Sequence, residues 1–257
     1  TAIGEVKVYQ YNDDSLMLHN DLYQINMAES YWNDGIHERI AVFDLYFRKM
    51  PFNSGYAVFN GLKRVVNFIE NFGFTNEDIT YLKSIGYEED FLNYLKDLKF
   101  TGNIKSMQEG EICFGNEPLL RVEAPLIQAQ LIETILLNII NFQTLIATKA
   151  SRIRQIATHD TLMEFGTRRA QEIDAALWGA RAAFIGGFDS TSNVRAGKLF
   201  NIPVSGTHAH ALVQTYGDEY IAFKKYAERH KNCVFLVDTF HTLKSGVPTA
   251  IKVAKEL

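Results

Sequence analysis

The chain has 257 residues, and 47% of them are hydrophobic, including 18 Phe and 12 Tyr that can fill a sizeable core. Its formal net charge is -4. Because nucleic-acid binding depends on a basic excess that displaces counterions, this balance argues against a general binder of polyanions. It leaves room for a local phosphate pocket, for which Lys149–Arg154 and Arg168–Arg169 supply positive charge.

The two cysteines, Cys113 and Cys233, stand far apart and provide neither a metal-ligand spacing nor a disulfide framework. We predict that both are small buried residues of a cytoplasmic protein, since a reducing compartment fits this usage. The first ten residues lack the apolar core of a signal peptide. The longest apolar stretch, Leu131–Ala147, is interrupted by polar residues, so we predict a core helix and no membrane span.

The first half of the chain predicts helices interleaved with short strands. Thr75 begins a Thr-x-x-Asp helix-start signature, and the apolar residues after Leu126 recur in steps of three and four, which indicates one continuous apolar helix face. In chain order we predict a helix over Ser15–Asn33, a strand over Ile40–Phe47, a turn over Pro51–Gly55, helices over Gly61–Asn71, Glu77–Ile85 and Glu89–Leu98, an antiparallel or mixed sheet over Asn103–Lys105, Glu111–Phe114 and Leu119–Glu123, and a long helix over Leu126–Ala147 that continues through Lys149–Thr158.

After residue 160 the pattern changes to a strand, a loop and a helix repeated about every 25 residues, which is typical of parallel β/α units. The predicted strands are Leu162–Phe165, Ala182–Ile185, Ile202–Ser205 and Cys233–Val237. The predicted fold class is therefore α/β. We expect a leader of unclear role over residues 1–12, an α+β sandwich-like domain over residues 13–150, and the first strands of a β/α barrel over residues 151–257.

In β/α units the reacting groups lie on the loops that follow the carboxyl ends of the strands. Four such loops are rich in polar side chains, namely Gly166–Arg169, Gly186–Thr191, Gly206–His210 and Asp238–His241. Arg168 and Arg169 are suited to binding a carboxylate or phosphate through a guanidinium fork. The alternative is that they form a salt bridge with Glu172 or Asp174.

The Gly206–His210 loop is the strongest candidate for covalent chemistry. Gly206 permits a tight exit from the strand, and Thr207 can cap the next helix with His210 on the same side. An imidazole at a helix N-terminus can meet a phosphate and accept a phosphoryl group. The alternative is that one histidine packs and the other is solvated, with His208 the more structural. No third ligand accompanies this pair, so we predict no metal site.

Two further loops allow two interpretations each. Gly186–Gly187 with Ser190, Thr191 and Ser192 could cradle a phosphate through backbone N–H groups, or could form a tight turn and a helix cap. Asp238 could hold a ribose hydroxyl or Mg²⁺, or could cap the following helix.

Nine segments of the chain carry a resemblance to a known family. They are Asp21–Gln24, Phe47–Pro51, Gly55–Val58, Glu117–Val122, Asn141–Leu145, Phe165–Gln171, Gly186–Asp189, Gly206–His210 and Val237–Thr239. Together they resemble nicotinate phosphoribosyltransferases from about residue 13 to the end of the chain.

The resemblance implies a sandwich domain followed by an irregular β/α barrel, working as a cytoplasmic homodimer. It implies that nicotinate and phosphoribosyl pyrophosphate give nicotinate mononucleotide and pyrophosphate in NAD salvage, coupled to ATP hydrolysis through a phosphohistidine. His210 matches that histidine, and Thr207 and Tyr23 match residues that contact nicotinate, Tyr23 from across the dimer interface. Arg168 and Arg169 fall at the lining of the pocket. The leaving pyrophosphate calls for Mg²⁺ and basic groups.

The chain also departs from the family pattern. The family's Ile-Arg-x-Asp-Ser-Gly-Asp strand and Gly-rich phosphate loop are not in this sequence, and His241 stands where many relatives have Asp. One alternative is a related nicotinamide or quinolinate phosphoribosyltransferase. Another is a truncated, non-catalytic fragment that only binds ligand or dimerises. We expect the 257-residue chain alone to be inactive and poorly soluble, because the Cys233–Val237 strand would keep an unpaired edge.

Overall fold

The structure is a computed structural model that describes residues 16–256. The predicted leader over residues 1–12 and the predicted helix start at Ser15 lie outside the described residues. The helices are α1 (Leu22–Asn33), α2 (Leu62–Glu70), α3 (Asn76–Ser84), α4 (Glu89–Asp97), α5 (Leu126–Ile156), α6 (Glu172–Ile185), α7 (Val194–Phe200), α8 (His210–Tyr216), α9 (Glu219–Ala227) and α10 (Val247–Glu256), with short 3-10 turns at Pro51–Asn53 and Thr167–Arg169 and a π-helical turn at Thr242–Gly246.

The strands form three small sheets in an α/β fold. They are β1 (Ile40–Leu45), β2 (Ala57–Val58), β3 (Asn103–Ser106), β4 (Ile112–Cys113), β5 (Leu120–Pro125), β6 (Met163–Glu164) and β7 (Ser190–Thr191). In the first half of the chain β5 lies between β1 and β3, and β2 pairs with β4, always antiparallel. In the second half β6 and β7 are parallel. The predicted change from antiparallel to parallel pairing is therefore confirmed.

Helix starts follow the capping signals. Thr75 accepts a hydrogen bond from the Asp78 N–H at 3.1 Å, and the Asp78 carboxylate accepts one from the Thr75 N–H at 2.8 Å, as the signature predicts. The prediction of a first helix from Ser15 is wrong within the described residues, because α1 begins at Leu22. Asp21 starts it, with its N–H donating to the Gln24 side chain at 3.1 Å.

The long helix α5 is the centre of the fold. It packs against α1, α2, α6 and strands β1, β2 and β5. It is long and apolar enough to cross a membrane, yet 56% of its most apolar window is buried inside the protein, which agrees with the predicted core helix. Its Thr144 and Thr148 hydroxyls accept hydrogen bonds from the Asn60 and Val58 N–H groups at 3.1 and 2.9 Å. The helix runs through residue 150, so the predicted domain division, which stays a prediction, would fall inside it.

The predicted strand over Ala182–Ile185 is wrong. Ala182–Ile185 is the last turn of α6, and the second parallel strand is the polar pair Ser190–Thr191. The α6 sequence is rich in alanine, which has the highest helix propensity, and its small residues allow close packing on α5. Ser190 and Thr191 have no apolar pattern that would mark a strand, although both are buried.

The remaining parallel pairing is short. Val204, within the predicted strand Ile202–Ser205, makes one parallel bridge to Thr191, next to the β6–β7 pair. Within residues 16–256 the predicted strand Cys233–Val237 joins no ladder, so that prediction is not met. Three parallel segments thus lie side by side, and their carboxyl ends share one edge. This edge positions the candidate site.

Candidate active site

Two loops leave this edge close together. Ser205 donates its N–H to the Thr191 carbonyl at 3.0 Å, and its hydroxyl lies 3.1 Å from the Met163 sulfur. Because Met163 belongs to β6 and Ser205 ends the third parallel segment, the loop with Arg168 and the loop with Thr207 begin at neighbouring points. The parallel pairing therefore brings together loops that are about 40 residues apart in the chain.

His208 is a packed aromatic residue. Its ring lies 5.5 Å from the Phe223 ring and 5.1 Å from the Tyr226 ring, centroid to centroid. Its Nε2 accepts a hydrogen bond from the Leu236 N–H at 3.1 Å, which places the ring proton on Nδ1. The prediction that His208 is the more structural histidine agrees with this environment.

His210 is the first residue of α8, and its side chain is 49% exposed. Its Nδ1 lies 3.1 Å from the Thr239 hydroxyl, and its Nε2 lies 3.9 Å from the Asp238 carboxylate. The structure thus joins two loops that the sequence presents separately. The sequence analysis did not single out Thr239 as a site residue. The pattern that could have identified it is the Asp-Thr pair directly after the apolar run that ends at Val237.

The chemistry of this group follows from its partners. A neutral imidazole carries a proton on one nitrogen and a lone pair on the other. The Thr239 hydroxyl can donate to or accept from Nδ1, and the Asp238 carboxylate lies 3.9 Å from Nε2. An imidazole that is exposed and oriented in this way could act as a nucleophile or proton carrier.

Thr207 does not cap α8, so that prediction is wrong. The helix begins at His210 after Ala209, and no side chain caps it. The Thr207 hydroxyl instead donates to the His208 carbonyl at 3.1 Å, and the residue is exposed. The loop stays extended for two residues longer than predicted, because the His208 ring is anchored in the aromatic cluster.

Arg168 and Arg169 lie on the 3-10 turn after β6, and both are exposed. Within residues 16–256 neither side chain forms an ion pair or a hydrogen bond. The alternative salt bridge is not formed, since Asp174 pairs with Arg64 at 2.7 Å and the Glu172 carboxylate accepts from the Ile173 N–H. Both guanidinium groups thus remain available for an anion.

Glu164 is a site residue that sequence reasoning missed. It ends β6, and its carboxylate accepts hydrogen bonds from the Gly166 N–H and, at 2.7 Å, from the Thr191 hydroxyl. Its carbonyl accepts from the Ser192 N–H at 2.9 Å. The available signal was an acidic residue at the carboxyl end of an apolar strand, directly before a Gly-Thr-Arg-Arg turn.

The Gly186–Gly187 loop is a turn and not a phosphate cradle. The N–H groups of both glycines donate to α6 carbonyls, and those of Thr191 and Ser192 donate to other carbonyls, so none of the four remains for a ligand. Asn193 caps α7 by accepting from the Ala196 N–H at 2.9 Å. These bonds favour the turn-and-cap interpretation for Gly186, Gly187, Thr191 and Ser192.

This turn is held by Arg154 and Asp189. Arg154 donates to the Gly187 carbonyl at 2.7 Å and pairs with the Asp189 carboxylate at 2.6 Å. The Leu162 N–H and Arg154 lower the pKa of Asp189, because both stabilise its charged form.

Asp238 does not cap the following turn. His241 does so, because its Nδ1 accepts from the Lys244 N–H at 3.1 Å. An aspartate carboxylate at position 241 could accept the same bond. Asp238 remains a 56% exposed carboxylate beside His210 and thus offers oxygen ligands for Mg²⁺. Among the described residues there is no cluster of three or more His, Cys, Asp or Glu side chains that could hold a metal by itself.

Tyr23 lies apart from this edge. It is on α1, half-exposed, and its hydroxyl donates to the Glu133 carboxylate on α5 at 3.3 Å. No hydrogen bond within residues 16–256 links it to Arg168, Thr207 or His210. Burial and the negative charge of Glu133 raise the pKa of Tyr23, since both disfavour its ionised form.

Comparison with known proteins gives consistent results. A family model described as the nicotinate phosphoribosyltransferase N-terminal domain matches residues 18–141. The chain is 67% identical over 249 residues to the nicotinate phosphoribosyltransferase of Bacillus subtilis (strain 168), covering 96% of this chain and 51% of that relative. The chain spans about half the length of the curated relatives it matches.

Two solved structures share the fold. The human nicotinic acid phosphoribosyltransferase superposes with a TM-score of 0.79 at 30% identity, covering 92% of this chain and 58% of that one. The nicotinate-nucleotide pyrophosphorylase of Pyrococcus furiosus superposes with a TM-score of 0.78 at 25% identity, covering 97% and 57%.

Proposed function

Because the chain belongs to the nicotinate phosphoribosyltransferase family and matches the N-terminal half of its members, we propose that the full-length protein is a pentosyltransferase of NAD salvage. It joins nicotinate to phosphoribosyl pyrophosphate and releases nicotinate mononucleotide and pyrophosphate. The observation that carries the proposal is the shared sheet edge. It presents the accessible imidazole of His210 and the guanidinium groups of Arg168 and Arg169, which have no partner within residues 16–256.

In this proposal Arg168, Arg169 and Thr207 build the nicotinate pocket. The nicotinate carboxylate matches a guanidinium fork, and nicotinamide has no carboxylate to offer. The absence of a competing ion pair among the described residues supports this role, because the arginines lose no existing partner when the substrate binds.

His210 accepts the γ-phosphoryl group of ATP in this scheme. The nitrogen lone pair attacks phosphorus, the bond to the bridging oxygen breaks, and ADP leaves with that electron pair. Hydrolysis of the phosphohistidine then couples ATP use to the transfer reaction. The hydrogen bond between His210 Nδ1 and Thr239 supports the role, since it orients the ring without burying it.

The donor sugar brings a pyrophosphate polyanion to the same edge. Asp238 would hold Mg²⁺ through its carboxylate, because a single carboxylate and substrate phosphates are the usual ligands of this ion. When bound, Mg²⁺ supplies charge stabilisation to the leaving pyrophosphate.

Tyr23 contacts nicotinate across a homodimer interface in this proposal. Tyr23 lines a groove of about 400 Å³ with Tyr46, Leu137 and Asn138, and Tyr23, Tyr46 and Leu137 are each roughly half exposed. Aromatic residues of this kind are enriched at protein interfaces.

Both cysteines, Cys113 and Cys233, are free thiols, which fits a protein that works in a reducing cytoplasm.

A substrate panel tests the proposal. The full-length protein is incubated with phosphoribosyl pyrophosphate, Mg²⁺ and either nicotinate, nicotinamide or quinolinate, with and without ATP, and the nucleotide product is quantified. We expect nicotinate mononucleotide as the main product and a higher yield with ATP. A preference for nicotinamide or quinolinate would replace nicotinate as the assigned substrate. The absence of product with all three compounds would favour a non-catalytic binding role.

A further inference from the structure

Glu164 forms a bridge between two loops of the candidate site. Its carboxylate accepts from the Gly166 N–H on one side and from the Thr191 hydroxyl on the other. Thr191 is fully buried and also accepts from the Asn193 N–H at 3.0 Å. The bridge therefore couples the turn after β6 to the loop after β7.

This bridge also holds the backbone turn that carries Arg168 and Arg169. The Arg169 N–H donates to the Gly166 carbonyl at 2.8 Å, so Gly166 is held at both its N–H and its carbonyl. A methyl group at Gly166 would lie 2.8 Å from a Glu164 carboxylate oxygen, and glycine is what allows this close approach. The backbone turn that carries Arg168 and Arg169 is thus tied to Glu164.

Both carboxylate oxygens of Glu164 accept hydrogen bonds from donors within the protein. Within the described residues the carboxylate has no cationic partner, and its hydrogen bonds come from neutral donors. A carboxylate that pointed at an anionic substrate would repel that substrate. The Glu164 carboxylate points instead at the Gly166 N–H and the Thr191 hydroxyl.

We propose that Glu164 is a positioning residue that orients Arg168 and Arg169 toward the anionic substrate; this inference rests on the proposed function. It acts through hydrogen bonds and not through its charge. Glutamine can therefore replace it, because a carboxamide oxygen can accept from Gly166 while its NH₂ donates to the second lone pair of the Thr191 hydroxyl. Alanine makes neither bond.

The test compares Glu164→Gln, Glu164→Ala and Thr191→Val in the full-length protein. Steady-state kinetics give KM and kcat for nicotinate, and hydrogen exchange reports the Gly166 and Arg169 amides. We expect Glu164→Ala to raise KM by about tenfold or more and to speed exchange, while Glu164→Gln stays within about threefold of wild type. Thr191→Val removes one of the two bonds to the Glu164 carboxylate, together with the Asn193 N–H bond to the same hydroxyl. Its KM should be intermediate, and it serves if Glu164→Ala fails to fold.

Two results would overturn the inference. In the first, Glu164→Gln is as impaired as Glu164→Ala, chiefly in kcat, which would mean that the charge matters. In the second, Glu164→Ala leaves both exchange and KM unchanged. If the wild-type protein makes no nicotinate mononucleotide, that result counts against the proposed function alone. Hydrogen exchange needs no substrate, so it still shows whether Glu164 holds the turn.

Discussion

Arg181 on α6 forms a two-pronged ion pair with Glu109, with nitrogen–oxygen distances of 2.6 and 2.9 Å. Glu109 lies between β3 and β4 and also accepts from the Gly61 and Lys63 N–H groups at the start of α2. Both side chains are largely buried, at 11% and 15% exposure. The pair therefore ties α6, the helix between the parallel strands β6 and β7, to the N-terminal part of the fold.

Removing the cation of this pair should destabilise the protein. Arg181→Met leaves Glu109 buried with only backbone donors, so we expect the free energy of unfolding to fall by about 3 kcal/mol. The control is Lys83→Met, which breaks the exposed Lys83–Glu89 pair and should cost less than about 1 kcal/mol. Urea unfolding of both variants measures the difference, and equal losses would show that the Arg181 pair adds no more than a surface pair.

Glu109 should make stability depend on pH. Burial alone would raise its pKa, but Arg181 and the Gly61 and Lys63 N–H groups outweigh burial and lower the pKa from the usual 4.5. A lowered folded-state pKa means that this stabilisation is fully present above pH 4.5 and is lost as the pH falls through the folded-state value. The melting-temperature gap between wild type and Glu109→Gln should therefore narrow on acidification below that pH. A gap that is constant between neutral and acidic pH would contradict this mechanism.

The two histidines of one loop should behave differently. His210→Ala should abolish an acid-labile phosphate label from γ-labelled ATP and leave the unfolding free energy nearly unchanged, because its side chain is half-exposed. His208→Ala leaves the Leu236 N–H without its acceptor and removes a ring from the aromatic cluster, which should cost about 2 kcal/mol. Full labelling of His210→Ala would remove this residue from the phosphoryl-transfer role.

Arg168 and Arg169 should discriminate nicotinate, which has a carboxylate, from nicotinamide, which has an amide. Arg168→Ala and Arg169→Ala, tested separately, should each weaken nicotinate binding by about 1.5–3 kcal/mol if the residue contacts the carboxylate. Calorimetry with nicotinamide as the control ligand should show no comparable loss, because that ligand offers no carboxylate. Unchanged nicotinate affinity in both variants would place the pocket elsewhere.

Gly186 should be intolerant of any side chain. A methyl group there would overlap the Ala147 carbonyl oxygen and lie 2.7 Å from the Ala150 side chain, so α6 would have to move away from α5. We expect Gly186→Ala to cost about 1–3 kcal/mol. Gly55→Ala is the matched control, because no atom lies within 4 Å of the added methyl group. Similar melting temperatures for both variants would mean that the α5–α6 contact adapts without cost.

Local chemistry was sufficient to predict much of the fold. The Thr75 and Asp78 signature marks a helix start because both capping bonds form within four residues. The long helix over Leu126–Ile156 was also predictable, because its apolar spacing repeats at the helical period. The sequence likewise identified His210, Thr207 and the arginine turn as candidates, since polar residues after apolar strands are readable without coordinates.

Only the tertiary structure decided what depends on neighbours distant in the chain. Ser190–Thr191 is a strand because it pairs with Met163–Glu164, whereas the more apolar Ala182–Ile185 is helical against α5. The different roles of His208 and His210 were likewise decided by packing, because one ring meets an aromatic cluster and the other meets Thr239. Strand pairing and side-chain environment are set by contacts across long sequence separations, and single-chain periodicity does not encode which segments meet.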